Sequence, residues 1–330
     1  MSEAGLGLGE IRQTAGAIQE YVVRTPVCAW PGAAIVSGSG RLIEPVLKLE
    51  LFQRTGTFKL RGALANMLRL SPEERRRGVT TVSAGNHAIA VSYAASVLGI
   101  SAKVVMLSSA SRIRVTAASA HGAEVLTAES GPAGFELVNR IAHQEGRILI
   151  HPFEGRYTAL GTATVGLEFA EQAPGLDALV VAIGGGGLAA GVASAFKWLQ
   201  PECRIYGVEP VGADTMHRSF AAGAPQRIEH VSTIADSLAP PMALPFSFEL
   251  CRAHVDELVR VDDDQICRAM ALLFREMKLA VEPAGAAAMA AAVEPLSDRL
   301  QGKRVGVVLC GSNIDVESFS SYVRRGNAVP

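Results

Sequence analysis

Short uninterrupted apolar runs alternate along this chain with longer segments whose apolar residues recur every three or four positions. This pattern predicts strands at residues 46–50, 79–83, 102–107, 124–126, 178–183, 204–208 and 304–309. Runs such as Ala178-Leu179-Val180-Val181-Ala182-Ile183 have the form of strands buried on both faces. Helical spacing appears at 57–70, carried by Phe58, Leu60, Ala63, Leu64, Met67 and Leu68. Further helices are expected at 86–98, 111–121, 134–145, 188–199, 263–277 and 284–293. Another should start at Ser71-Pro72-Glu73-Glu74, where Ser caps, Pro occupies the first turn and the acids face the positive end of the helix dipole. Strands alternating with helices over short loops imply crossover units and parallel sheets. The stretch 221–248, with Pro225, Pro240, Pro241 and Pro245, is the least regular and reads as a loop-rich wall. No internal repeat or long linker interrupts the alternation.

Composition narrows this picture. Of the 330 residues 49% are hydrophobic, which excludes a disordered chain, and the length suits two units sharing an interface. Lys+Arg number 31 against 32 Asp+Glu, so no basic surface for nucleic acid is expected. The five cysteines (Cys28, Cys203, Cys251, Cys267, Cys310) are scattered and lack metal-ligand spacing, so a reducing cytoplasm is expected. The first thirty residues carry Glu3, Glu10 and Arg12 and show no signal peptide. The uncharged stretch 178–196 is long enough to suggest a membrane span, but four consecutive glycines in its middle read as strand, loop, helix.

Three segments carry candidate chemistry. Lysine is rare: Lys48, Lys59, Lys103, Lys197, Lys278 and Lys303 are the only ones. Lys59 stands between Phe58 and Leu60, just after a glycine turn and in the first turn of a helix. Amide dipoles and desolvation there both disfavour its ammonium form, as a Schiff-base lysine requires; the bland alternative is a lysine reaching out from a helix start. Ser83-Ala84-Gly85-Asn86-His87 lies between a strand end and a helix start, where free amides can cradle a carboxylate or phosphate. Gly184-Gly185-Gly186-Gly187-Leu188 occupies the same kind of junction. Four residues without side chains let the backbone approach an anion closely, and the spacing matches neither the dinucleotide fingerprint nor the P-loop.

In this order, Thr57-Phe58-Lys59-Leu60-Arg61-Gly62-Ala63, Ser83-Ala84-Gly85-Asn86-His87 and the tetraglycine resemble the fold type II pyridoxal-phosphate enzymes, in the branch of threonine/serine dehydratases and serine racemase. The resemblance extends over residues 9–323 and includes Glu209-Pro210, Thr233-Ile234-Ala235-Asp236, Glu282-Pro283-Ala284-Gly285 and Leu309-Cys310-Gly311-Ser312-Asn313. It implies a tryptophan-synthase-β-like α/β fold of two open parallel-sheet domains with the cofactor between them. Residues 1–52 and 148–330 would form the large cofactor-binding domain and 53–147 a small mobile domain that closes on substrate, with boundaries good to about ten residues. A homodimer is also implied. A feedback domain follows the core in relatives; with the chain ending at Pro330, control by that route is not expected.

The resemblance further implies that Lys59 holds pyridoxal phosphate as an imine and later takes the substrate α proton. Phe58 would pack beside the cofactor, Asn86 would hydrogen-bond its phenolic oxygen, and Gly184, Gly185, Gly186, Gly187 and Leu188 would bind its phosphate. Ser83, Ala84, Asn86 and His87 would receive the substrate carboxylate, and Glu282 would sit near the ring edge. Cys310 falls where this branch usually has a Ser facing the pyridine nitrogen; a neutral thiol there suits elimination better than transamination.

Two departures bear on the reaction. Where serine racemases have a second acid/base Ser, this chain has Ala84, which cannot move a proton. Where relatives bind Mg²⁺ or Mn²⁺, Glu209 and Ala213 match but the third position is Thr215, with Asp214 beside it, so a cation is expected only weakly. The resulting expectation is β-elimination from a 3-hydroxy amino acid, by default L-threonine or L-serine, to a 2-oxo acid and ammonia. A bulkier substrate such as 3-phenylserine or 3-hydroxyaspartate is the alternative, with Phe135 and the 238–248 stretch as an apolar wall. A serine racemase and a non-catalytic binder of pyridoxal phosphate or amino acids are the remaining readings.

Overall fold

The computed structural model describes residues 5–31, 35, 36, 40 and 42–328. Positions 1–4, 32–34, 37–39, 41, 329 and 330, which fall within the expected large unit, lie outside the described residues.

Two sheets organise the chain. The larger runs Val27–Ala29, Leu42–Leu49, Arg304–Leu309, Ala178–Ala182, Arg204–Pro210 and Glu257–Val261, and the short strand Ile35–Val36 also pairs with Leu42–Leu49. Its four consecutive pairings from Leu42–Leu49 to Glu257–Val261 are parallel, and only the two short strands on Leu42–Leu49 are antiparallel. The smaller sheet, Glu124–Ala128, Ala102–Leu107, Val79–Ser83 and Ile148–Leu149, is wholly parallel. It is built from one stretch of chain between two parts of the larger unit. Each sheet has its own apolar core, as two α/β units require.

Most expected elements form where the pattern puts them. Strand Val79–Ser83 and helices Asn86–Leu98 and Asp263–Met277 coincide with the expected ranges. Ser71 caps Pro72–Arg77 by accepting from the Glu74 amide at 3.2 Å, and the Glu74 carboxylate closes the box. The uncharged 178–196 stretch is indeed a strand, a glycine loop and helix Gly187–Leu199. No helix among the described residues is long and apolar enough to cross a membrane.

Several elements escape the pattern. Helix Arg156–Gln172 is buried along almost its whole length, so it has no polar face to produce a helical period. The proline-bearing stretch 221–248 is only partly a loop. Pro245 is the first residue of helix Pro245–His254, and Glu154 accepts the amides of Phe246 and Ser247 at its start.

Candidate active site

The two sheets present their carboxyl ends to a common cleft, where ligands bind in open parallel α/β sheets. Lys59 is the first residue of helix Lys59–Met67 at this cleft. Its position follows from the turn before it. Gly56 has φ +73°, and a Cβ there would fall 2.3 Å from Asn313 Oδ1. Thr57 then bridges to Gly311, and the Phe58 amide donates to the Cys310 carbonyl at 3.3 Å. Two residues on, the buried Arg61 guanidinium grips Glu50 and Glu168 at 2.8–2.9 Å, clamping the helix onto the larger unit. Lys48, the other lysine nearby, is taken up by Glu168, Gln172 and the Thr25 carbonyl. Lys59 Nζ donates to the Pro152 carbonyl at 2.7 Å. Burial pulls its pKa down to about 8, against the opposing effect of Cys310 and Glu282, so about a tenth of it is neutral at pH 7, far more than for an ordinary lysine.

Opposite Lys59 lies the glycine cup. In Gly187–Leu199 the first intrahelical bond is Ala190 N–H to Gly186 O at 2.8 Å, so the amides before it are open to a ligand. Added Cβ atoms would lie 2.2 Å from the Phe153 ring at Gly185 and 2.5 Å from the Phe153 carbonyl at Gly187. Gly186 has φ +93°. Only glycine fits at these positions, and a helix N-terminus of this kind holds a phosphate. Phe58, Lys59, Asn86, Leu188, Glu282 and Cys310 line the adjoining cavity. A buried amine of lowered pKa and a glycine-lined helix start on one cavity fit pyridoxal phosphate.

The Ser83–His87 loop starts helix Asn86–Leu98, whose first intrahelical bond is Ile89 N–H to Gly85 O at 3.0 Å. Asn86 is fixed on three sides: its amide donates to Glu282 Oε1 at 2.6 Å and Ser237 Oγ at 3.1 Å, and its oxygen accepts from Asn313 at 2.9 Å. Arg114 reaches across from the smaller unit to Asp236 and Glu282 and donates to the Asn313 carbonyl at 2.9 Å. Burial raises Glu282 to about 7 despite Arg114. The Cys310 thiol donates to the Ala284 carbonyl at 3.4 Å, and burial keeps it protonated.

A cavity of about 180 Å³ continues outward from Lys59 and the Ser83–His87 loop. Its walls are mostly apolar: Val82, Leu107, Phe135, Phe153, Pro240 and Pro241. Phe135 and Phe153 both pack against the His151 ring, with centroids 6.2 and 4.7 Å away.

The expected cation position is drawn into protein hydrogen bonds. Both Glu209 oxygens accept backbone amides, from Met216 at 2.8 Å and His217 at 2.6 Å, and burial raises this carboxyl to about 8. Asp214 is engaged by Arg218 and Arg260. Glu209 thus has no second free carboxylate beside it, and among the described residues no group of three His, Cys, Asp or Glu could hold a metal. The expectation of a cation gains no support from this geometry.

The structure thus brings Lys59, the glycine cup, the Ser83–His87 loop, Glu282 and Cys310 together. Sequence reasoning missed Pro152, Phe153 and Arg114. The first two follow strand Ile148–Leu149, and a loop after a parallel strand was the available signal; Arg114, inside a helix, had none.

Comparison with known proteins agrees with this geometry. The model of the family described as pyridoxal-phosphate dependent enzyme matches residues 18–311. The chain belongs to that family. It is 54% identical over 279 residues to phenylserine dehydratase of Ralstonia pickettii, covering 84% of this chain and 86% of that protein. It is 36% identical to an L-threonine ammonia-lyase of Thermotoga maritima, covering 97% and 78%. Among solved structures, maize serine racemase superposes with a TM-score of 0.90 at 34% identity, covering 98% of each chain. The fold is that of the type II pyridoxal-phosphate enzymes.

Proposed function

We propose that this chain catalyses a pyridoxal-phosphate-dependent β-elimination that converts 3-hydroxy amino acids into 2-oxo acids and ammonia. The observation that carries this reading is Lys59: a buried amine of lowered pKa, facing the glycine cup across one cavity. The cofactor would link covalently to this amine and draw electron density from the substrate α carbon. Lys59 would then remove the α proton, with the Pro152 carbonyl holding the amine in place. Open amides at the start of Asn86–Leu98 would bind the substrate carboxylate. Cys310, already donating to Ala284, offers no proton to the pyridine nitrogen. Ala84 offers no acid or base on the opposite face, which favours elimination over racemisation. Residues 53–147 would close over the substrate, bringing Phe135 to it. The five free cysteines support the cytoplasmic assignment, and the homodimer rests on the resemblance alone.

The cavity supports an aryl substrate over threonine. Its volume of about 180 Å³ and its apolar walls exceed what a methyl group needs and suit a phenyl ring. The similarity to a phenylserine dehydratase points the same way. A second carboxylate, as in 3-hydroxyaspartate, would find Arg114 already committed to Asp236 and Glu282.

The test is to compare kcat/KM for 3-phenylserine, threonine, serine and 3-hydroxyaspartate in a 2-oxo acid assay, with borohydride trapping and peptide mapping. Covalent cofactor on Lys59 and a preference for 3-phenylserine are expected. Cofactor on another lysine, or no 2-oxo acid from any of the four, overturns the reading.

A further inference from the structure

His87 has one polar atom without a role. Its Nε2 lies 3.0 Å from the Ile150 carbonyl. A carbonyl only accepts, so Nε2 carries the proton and Nδ1 a lone pair. Burial and the neighbouring Lys59 push the imidazole pKa down to about 3, so Nδ1 stays an acceptor at working pH. Yet Nδ1 is buried without a partner. An unmet buried acceptor costs about 1–3 kcal/mol, and such atoms are met by ordered water where space allows.

That space exists. A second cavity of about 10 Å³, the size of one water, lies against helix Arg156–Gln172 and is lined by Lys59, His87, Pro152, Thr158 and Thr162 among others. Thr158 Oγ1 accepts from Asn66 Nδ2 at 3.1 Å, which leaves its own proton free to donate. Glu282, Cys310 and His151, the other titratable groups around the Lys59 amine, do not line this cavity.

We infer that this cavity holds a single water that donates to His87 Nδ1 and accepts from the Lys59 amine, making His87 a positioning residue for Lys59. The Pro152 carbonyl takes one N–H of that amine, and the water takes a second. When Lys59 carries a proton, its charge is met by two acceptors, one of them anchored on a histidine that cannot compete for the proton. The inference rests on Lys59 being the reactive amine of the proposed reaction.

A crystal structure of the full chain that resolves ordered solvent is expected to show one water against Nδ1; a dry cavity overturns the inference. His87→Asn keeps an acceptor near the Nδ1 position and His87→Leu removes it, while both lose the bond to Ile150. In full-length protein stripped of cofactor, Lys59 is trapped across pH with a simple aldehyde and borohydride and the product is quantified by mass spectrometry. His87→Leu is expected to lower the midpoint by about half a pH unit, since the charged amine loses support, and His87→Asn to keep the wild-type midpoint. Three equal profiles, or equal displacement in both variants, overturn the inference. Absence of 2-oxo acid production would count against the proposed reaction alone, because trapping needs no turnover.

Discussion

The Arg114 and Glu282 side chains lie 3.1 Å apart, one on a helix of the smaller unit and the other just before helix Pro283–Val293 of the larger unit, and both are buried. This pair and the Arg114–Asp236 contact beside it tie the two units together at the mouth of the cleft.

Arg114→Met should therefore destabilise the protein by about 3 kcal/mol, because it leaves a buried carboxyl without its cation. Glu282 is raised to about 7 in the fold by burial, above its ordinary value of about 4.5. Between those values the folded state binds more protons than the unfolded one, so this residue's contribution to stability falls as pH rises from about 4.5 to 7. Without Arg114 the folded pKa rises further and the decline extends to higher pH. Urea denaturation midpoints of both proteins across pH 5 to 8 check this.

The lowered pKa of Lys59, about 8 as a result of burial, makes cofactor uptake pH-dependent. Only the neutral amine attacks an aldehyde, so the rate of reconstitution should rise about tenfold per pH unit below 8 and then level. Absorbance during reconstitution from pH 6 to 9 measures it. Lys59→Ala should take up cofactor without forming any borohydride-stable bond.

Gly185→Ala should weaken cofactor binding by about 2–3 kcal/mol, roughly 30- to 150-fold in Kd, since its methyl would overlap the Phe153 ring. Gly16→Ala, where a Cβ meets nothing within 4 Å, should leave binding unchanged. Fluorescence titration with pyridoxal phosphate compares the two.

Phe135→Ala should lower kcat/KM for 3-phenylserine about 10- to 100-fold while changing threonine turnover little, the scale of losing one apolar wall. Steady-state rates for both substrates decide it.

Much of the fold can be read from local pattern. Where a strand is buried on both faces, as at Ala178–Ala182, or a helix carries a capping box, as at Pro72–Arg77, the signal lies within a few residues. Helix Arg156–Gln172 was not legible because burial all round erases the period that betrays a helix. The junctions at 83–87 and 184–188 were legible because glycines and short polar residues between an apolar run and a helical pattern mark where a strand hands over to a helix.

By itself the sequence determined the two sheet units, the lysine in the first turn of a helix and the glycine-rich strand-to-helix junction, since each depends on neighbours in the chain. Tertiary structure decided the rest. It set Pro152 against Lys59 across 93 residues, tied the Glu209 oxygens to helix amides, and lined the outer cavity from both units. Hydrogen bonds and cavities depend on which distant atoms meet, and no local pattern records that.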